Sequence, residues 1–405
     1  MQATRVTAAN MRRRRRREAA AASGGGILYE AGAEGQTRMQ EAGGGDQEVH
    51  EMSMGQVLRE TKVQQLVAGK GRLVEVPYTA SVGDTLHSML AHNIVAVAVA
   101  APPGHWIGAG GSMIVESDRI TGVARKQYIG IVSTLDVLFH LAELKDGAQV
   151  PLLLAGTRVS TIIGHCLQGL SLWAITPQTS VMEAMDIMSK GLHRALVPLE
   201  SHMQHSTESP LESEELASSY RMLSQTDVVQ FLHSKSETLH PILSRSVDAL
   251  GIIQPHVFGV PANTTLVDTM KCMTQAALTA VAVLDSTHDD LRQLHQLVPA
   301  IGKRIVGNFS ASDLRGCSVE SFPEWAREGV LQFLRRANAT KNAVTHIPLL
   351  TCYPSSTLEY VIRSALEWRV HRVWVVDEQQ GLLMGLISFT DILRVVGQQI
   401  EGCAS

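Results

Sequence analysis

Val373-Trp374-Val375-Val376, a tight turn over Asp377 to Leu382, then Leu383-Met384-Gly385-Leu386-Ile387 and Ser388-Phe389-Thr390-Asp391 decide the fold of this chain. The β-branched run and the second apolar run read as two strands joined by a short turn. Ser388 followed by Asp391, just before an apolar helical pattern, reads as a helix N-terminus. Upstream, Thr351-Cys352-Tyr353 and the amphipathic Leu358 to Leu366 complete a unit of strand, helix, strand, strand, helix.

The same order recurs three times with little residue identity. The first copy runs through Leu73 to Val76, a helix with Leu86, Met89 and Leu90 on one face, Ile94 to Ala100, and Tyr128 to Val132. The second uses Leu172 to Ile175, Val181 to Met188, Ala195 to Leu199 and Tyr220 to Leu223, and the third Val257 to Val260, Leu266 to Met273, Ala280 to Leu284 and Arg304 to Phe309. Units one to three each carry a long insertion before the last strand, at Ala101 to Arg125, Glu200 to Ser219 and Asp285 to Lys303, which reads as variable surface loop. The division is 1–55, an Arg/Gly/Ala-rich disordered tail, then units at 56–149, 150–240, 241–330 and 331–405.

Each unit ends its last strand with Ser-x-x-Asp ahead of an apolar helical pattern: Ser133-Thr134-Leu135-Asp136, Ser224-Gln225-Thr226-Asp227, Ser310-Ala311-Ser312-Asp313 and Ser388-Phe389-Thr390-Asp391. A single such box is an N-cap contributing about 1 kcal/mol and no function. Four at one point of a repeat describe something more, because helix N-terminal N–H groups suit a phosphate and an Asp one turn inside suits vicinal ribose hydroxyls. His193-Arg194 and His371-Arg372, at the start of the second core strand in units two and four, add cations for phosphate. The corresponding places in units one and three, read as Ile94-Val95 and Ala276-Ala277, carry no charge.

These four units, closing on Ser-x-x-Asp and with His-Arg in the second and fourth, resemble cystathionine-β-synthase (CBS) motif repeats. Four in a row resemble the gamma regulatory subunits of AMP-activated and sucrose-non-fermenting-type protein kinases, the plant gamma-like proteins in particular. The resemblance implies an α+β fold in which four CBS motifs form two CBS-pair modules packed as a disk. It further implies a non-catalytic subunit that binds AMP, ADP or ATP between paired motifs and partners a kinase catalytic (alpha) subunit and a scaffold (beta) subunit. Ribose would fall to Asp136, Asp227, Asp313 and Asp391, with Ser133, Ser224, Ser310, Ser312, Ser388, Thr134, Thr226 and Thr390 nearby, and phosphates to His193, Arg194, His371 and Arg372. Units one and three depart from the pattern, so fewer than four sites are expected to work. The competing reading is a CBS-fold adaptor without nucleotide response.

Composition bounds the alternatives. The chain has 405 residues, 45 % hydrophobic and 18 % charged, enough for sizeable cores. Its formal charge of −4 excludes a general polycation, so nucleic acid is not an expected partner of the folded part. Cys166, Cys272, Cys317, Cys352 and Cys403 form no C-x-x-C pair and read as reduced thiols of a cytoplasmic or nuclear protein. The longest apolar run, Ile94 to Ala101, is far short of the roughly 20 residues that span a bilayer, so no membrane association is expected. The six arginines Arg12 to Arg17 read most simply as a solvated tail, with a nuclear address, a local nucleic-acid contact or part of a transit peptide as the alternatives.

No catalytic signature emerges. Gly108 to Met113 lacks the third glycine of a dinucleotide fingerprint, and Gly69-Lys70-Gly71 lacks the spacing of a phosphate loop. Sixteen histidines occur without His-Glu-x-x-His, and His87 with His92 do not share a helical face, so no metal is expected. Met182, Met185, Met188 and Cys272 read as core. Trp368 and Trp374 flank the fourth unit's His-Arg and are expected to support it.

Overall fold

Short apolar runs, several of them buried along nearly their whole length, alternate with amphipathic helices and produce small sheets of two to four strands packed against helices. The structure, a computed structural model, describes residues 53–101, 128–143, 150–166, 174–199, 220–285, 296–316, 322–339 and 349–402. In chain order the elements are α1 Met54–Glu60, α2 Val63–Val67, β1 Glu75–Pro77, α3 Val82–Ala91, β2 Ala96–Ala100, β3 Tyr128–Ser133, α4 Thr134–Ala142 and α5 Val150–Gly156. Next come α6 Val181–Ser189, β4 Arg194–Pro198, β5 Tyr220–Ser224, α7 Gln225–Ser234, α8 Ser236–Leu243, β6 Phe258–Pro261, α9 Leu266–Gln275, β7 Ala280–Leu284, β8 Val298–Pro299 and β9 Ile305–Ser310. The chain continues through the 3₁₀ helix Ala311–Gly316, α10 Phe322–Trp325, α11 Val330–Ala339, β10 Thr351–Cys352, α12 Leu358–Glu367, β11 Arg372–Val376, β12 Leu383–Ser388 and α13 Phe389–Gly402.

In motifs one, three and four a parallel strand pair is joined to an antiparallel third strand, in the orders β1-β2-β3, β6-β7-β9 and β10-β11-β12. Motif two keeps β4-β5, and among the described residues its first strand is represented by the parallel bridge Ala174 to Leu196. The third insertion is not wholly loop: within it β8 pairs with the edge of β6, and Val298 and Ala300 are buried. The insertions at 102–127 and 200–219, like the arginine run, lie outside the described residues.

Two kinds of packing join the motifs. The sheets of motifs one and two meet through Ala96, Ala98, Tyr128 and Ile131 against Leu196 and Tyr220, and Tyr128 meets Tyr220 edge to face with ring centroids 5.4 Å apart. The sheets of motifs three and four meet through Ala282, Leu284 and Ile305 against Trp374, Val376 and Leu383. Helices then join the two pairs crosswise. One core combines motifs one and three, with Leu138 and Leu141 of α4 beside Met270 and Met273 of α9. The other combines motifs two and four, with Met185 and Met188 of α6 beside Ile392 and Val396 of α13. The four motifs therefore close on one another as the expected disk of two CBS-pair modules. Leu58 and Val63 of the leading helices are fully buried in the second core, so α1 and α2 belong to the folded unit.

The segment that leads into each motif packs on its pair partner. Lys62 bridges to Ser180, Arg158 to Ser81, Ser246 to Thr357 and Gly329 to Thr265, each contact made beside the N-cap of the partner's first helix. Each leading segment also meets the partner's last strand three residues before the motif serine. A Cβ at Gly130 would lie 2.7 Å from Ile163, one at Gly307 3.3 Å from Leu334, and one at Gly385 2.4 Å from Ile253. In motif two the same place holds Arg221, whose Nε donates to the Lys70 carbonyl at 3.0 Å. The glycines are thus seats for a crossing chain.

Three local readings are corrected. Leu90 is 44 % exposed, because the burying face of α3 is set by Val82, Thr85, Leu86 and Met89. The register places Ala96 and Ala280 opposite the motif serines, as Arg194 and Arg372 are, so the uncharged equivalents of His-Arg are Val95-Ala96 and Thr279-Ala280 rather than Ile94-Val95 and Ala276-Ala277. After Asp313 the expected α-helix is a 3₁₀ helix, since Arg315 and Gly316 replace the apolar spacing that buries Val137, Leu138 and Leu141 in α4.

After the first helix of every motif the chain turns through positive φ, at Asn93 (52°), Gly191 (101°), Ala277 (51°) and Arg369 (53°). Alanine there carries a Cβ clash of roughly 1–2 kcal/mol that glycine avoids, partly offset by glycine's freer unfolded chain. Ala277→Gly is therefore expected to stabilise the protein by up to about 1 kcal/mol in urea denaturation. A loss of stability would show that the Ala277 methyl makes a compensating contact.

Candidate functional site

The β4-β5 and β11-β12 registers set Arg194 directly opposite Ser224 and Arg372 opposite Ser388, so each cation stands beside a motif helix N-terminus. The first helical N–H is already engaged: Gln225 donates to the His193 carbonyl and Phe389 to the His371 carbonyl, both at 3.1 Å. The Gln225 side chain crosses to motif four and donates to Thr390 Oγ1 at 2.9 Å, tying motifs two and four.

The basic residues converge. Burial first, then Arg194, Arg372, His193 and Arg315, holds His371 down to about 3. Burial, Arg194 and Arg372 bring His193 to about 4. Burial lowers Arg372 to about 10 against the opposing pull of Asp313, and lowers Arg194 against Cys166, Asp136 and Asp227. Residues from all four motifs thus share one electrostatic centre. His371 keeps an exposed face although protein crowds it, and His193, Arg194 and Arg372 are only partly covered. Arg315, invisible in the sequence pattern, joins them because the 3₁₀ turn brings its Nε to the Ser312 carbonyl at 3.2 Å and its other nitrogen to Asn93 Oδ1 at 3.3 Å. Arg372 also donates to Thr279 Oγ1 across the motif three–four interface, at 2.9 Å.

The four motif aspartates are built alike and covered differently. All accept from the backbone N–H and hydroxyl of their own serine, at distances of 2.5 to 3.0 Å. Asp136 has no exposed surface, and its second oxygen accepts from the Cys166 N–H at 3.0 Å. Asp391 is 7 % exposed, and its second oxygen accepts from Gln254 at 3.0 Å and Arg394 at 2.7 Å. Asp227 pairs with Lys70 at 2.5 Å. In these three motifs the covering group comes from the partner's leading segment. Asp313 is half-buried beside Ser310 and Ser312, whose hydroxyls are 2.7 Å apart, and the matching leading stretch, 340–348, lies outside the described residues. Thr134 is buried with its N–H on the Val95 carbonyl at 3.0 Å, and Thr226 is half-buried in the first turn of α7.

Trp374 does not support the His-Arg pair as expected. Its indole N–H donates to Asn308 at 3.2 Å in the interface between the motif three and four sheets, while Trp368 caps α12 and is 38 % exposed. Phe389 is the ring against His371, edge to face at 5.6 Å. Met185, Met188 and Cys272 are core residues, as read, and Cys166, Cys272 and Cys352 are buried and form no disulfide among the described residues.

Both histidines of the centre are neutral at pH 7. The unfolded chain binds these protons near pH 6.5 but the folded chain only near 4 and 3, so their contribution is whole above about 6.5 and is lost as pH falls below it. Melting temperature is expected to fall between pH 7 and 5, and a His193→Gln/His371→Gln protein to show a flatter profile. Identical profiles would refute the assignment.

Four strand-helix-strand-strand-helix motifs, paired by their sheets and sharing one basic centre, define a CBS-repeat protein. The CBS domain family matches residues 342–398. The chain is 45 % identical over 344 residues to "SNF1-related protein kinase regulatory subunit gamma-like PV42b" of Arabidopsis thaliana, covering 84 % of this chain and 95 % of that protein. It is 42 % identical to the PV42a protein of the same plant, covering 82 % and 93 %. Its fold is similar to that of a Methanocaldococcus jannaschii protein described as a proposed archaeal homolog of g-AMPK, with TM-score 0.54, 15 % identity, and 82 % and 99 % of the two chains covered. The chain belongs to the gamma-like regulatory subunits of SNF1-related protein kinases. It is a CBS-domain regulatory protein and not an enzyme. Among the described residues no helix is long and apolar enough to cross a membrane.

Proposed function

We propose that this protein senses adenine nucleotide for a sucrose-non-fermenting-type kinase: AMP, ADP or ATP binds between paired motifs, and occupancy is relayed to a catalytic alpha subunit and a scaffold beta subunit in the cytoplasm and/or nucleus. The observation that carries this reading is the convergence of Arg194, Arg315 and Arg372 with neutral His193 and His371 at the junction of all four motifs. Clustered arginines held in a partly desolvated centre repel one another, and a polyphosphate relieves that repulsion through charge-assisted hydrogen bonds. The ribose groups are sought among Asp136, Asp227, Asp313 and Asp391, and the charge of Asp313 acts on both Arg372 and Arg315, which are placed to hold phosphate. Because the centre belongs to every motif, a bound phosphate favours one packing of the disk over another, and a partner that touches two motifs reads the difference.

A second reading has its own support. The protein's own groups cover Asp136, Asp227 and Asp391, as expected of an adaptor that keeps the fold without responding to ligand. Calorimetric titration of AMP, ADP and ATP into the full chain separates the two. Saturable binding supports the sensor; no heat at several temperatures, with a kinase complex that forms equally with and without nucleotide, supports the adaptor.

A further inference from the structure

The last turn of α4 and the segment leading into motif two bring together His140, Glu143 and His165. His140 and Glu143 lie three residues apart on one helical face. His165 follows Gly164, whose φ of 85° turns the chain back on to that face. One ligand atom from each residue lies within 4.8 Å of the other two. His165 Nε2 is 3.9 Å from Glu143 Oε2, and the two imidazoles meet edge to face at 5.6 Å. The Nε2 of His140 is buried and has no hydrogen-bond partner among the described residues. A buried imidazole nitrogen left without a partner is unfavourable unless something fills its position.

We propose that His140, Glu143 and His165 bind a zinc-type divalent cation. Two imidazoles and a carboxylate are a donor set that zinc takes with water in the fourth position. Ligand bonds of about 2.0–2.2 Å place tetrahedral donors about 3.4 Å apart, a modest contraction of the present triangle. The site also reaches the nucleotide machinery. The next residue, Cys166, donates its N–H to Asp136 at 3.0 Å, so a cation that fixes His165 holds the lid over the motif-one aspartate. The metal would keep that motif closed, whether or not the basic centre binds nucleotide.

The test is zinc competition against a chromophoric chelator, using the full-length chain and its His165→Ala, His140→Ala and Glu143→Gln variants. The chain has 16 histidines and 5 cysteines, so the readout is the difference between proteins and not the total bound. One equivalent is expected to bind the unaltered chain, to be lost in His165→Ala and to weaken at least tenfold in Glu143→Gln. Should His140→Ala fail to fold, the other two variants decide. Cobalt should give a four- or five-coordinate visible spectrum in the unaltered chain only, and zinc should slow hydrogen exchange of the Cys166 amide. Equal stoichiometry in all proteins, or Cys166 exchange indifferent to zinc, would overturn the site.

Discussion

Arg372→Ala is expected to weaken adenine-nucleotide binding by about ten- to a hundredfold while leaving the ligand-free melting temperature unchanged or raised. A hydrogen bond to a charged group is worth about 1.5–3 kcal/mol, and each 1.4 kcal/mol is tenfold in affinity. In the free protein Arg372 is desolvated near His193 and His371, with Asp313 as the opposing charge and Thr279 as its hydrogen-bond partner. Removing it therefore relieves a desolvation cost as well as removing contacts. Calorimetry and thermal unfolding, each with and without nucleotide, read the two effects separately. Binding that survives Arg372→Ala intact would remove the centre from the mechanism.

Phe333→Ala is expected to destabilise the protein by about 3–5 kcal/mol, the range for truncating a buried aromatic. Phe333 is fully buried on α11 and meets Phe309 of β9 and Trp325 edge to face, at 5.9 and 5.7 Å. Its weight comes from an imbalance within motif three. That motif's own second helix is the short 3₁₀ turn Ala311–Gly316, and the leading segment of motif four, longer than the other three, supplies the missing apolar surface. Leu152→Ala, at a side chain 78 % exposed, is the control and should change stability by less than about 0.5 kcal/mol. Urea denaturation compares them. A Phe333→Ala loss no larger than the control's would mean that α11 is not part of the motif-three core.

The motif Ser-x-x-Asp boxes were legible because capping chemistry is local: a serine at the N-cap and a carboxylate three residues on need only one another. Arg315 was not legible, because it reaches the centre only through a 3₁₀ turn that no periodicity announces. The coverings of the aspartates were hidden for another reason. Lys70 and Asp227, or Gln254 and Asp391, are far apart in the chain and meet because each leading segment crosses to its pair partner. Gly130 and Gly385 hinted at that crossing, since a glycine inside a strand marks a close backbone approach. The seat was visible and its occupant was not.

Residue order alone established four α+β motifs, their helix N-termini and the cations of motifs two and four, because propensity, capping and hydrophobic period act over a few residues. Folding settled how these parts were used. Sheet faces paired one with two and three with four, helix faces paired one with three and two with four, and charges spread over some two hundred residues of chain met at one basic centre. Complementarity between faces and the long reach of unscreened charge are properties of arrangement, which is why they appear only in the assembled disk.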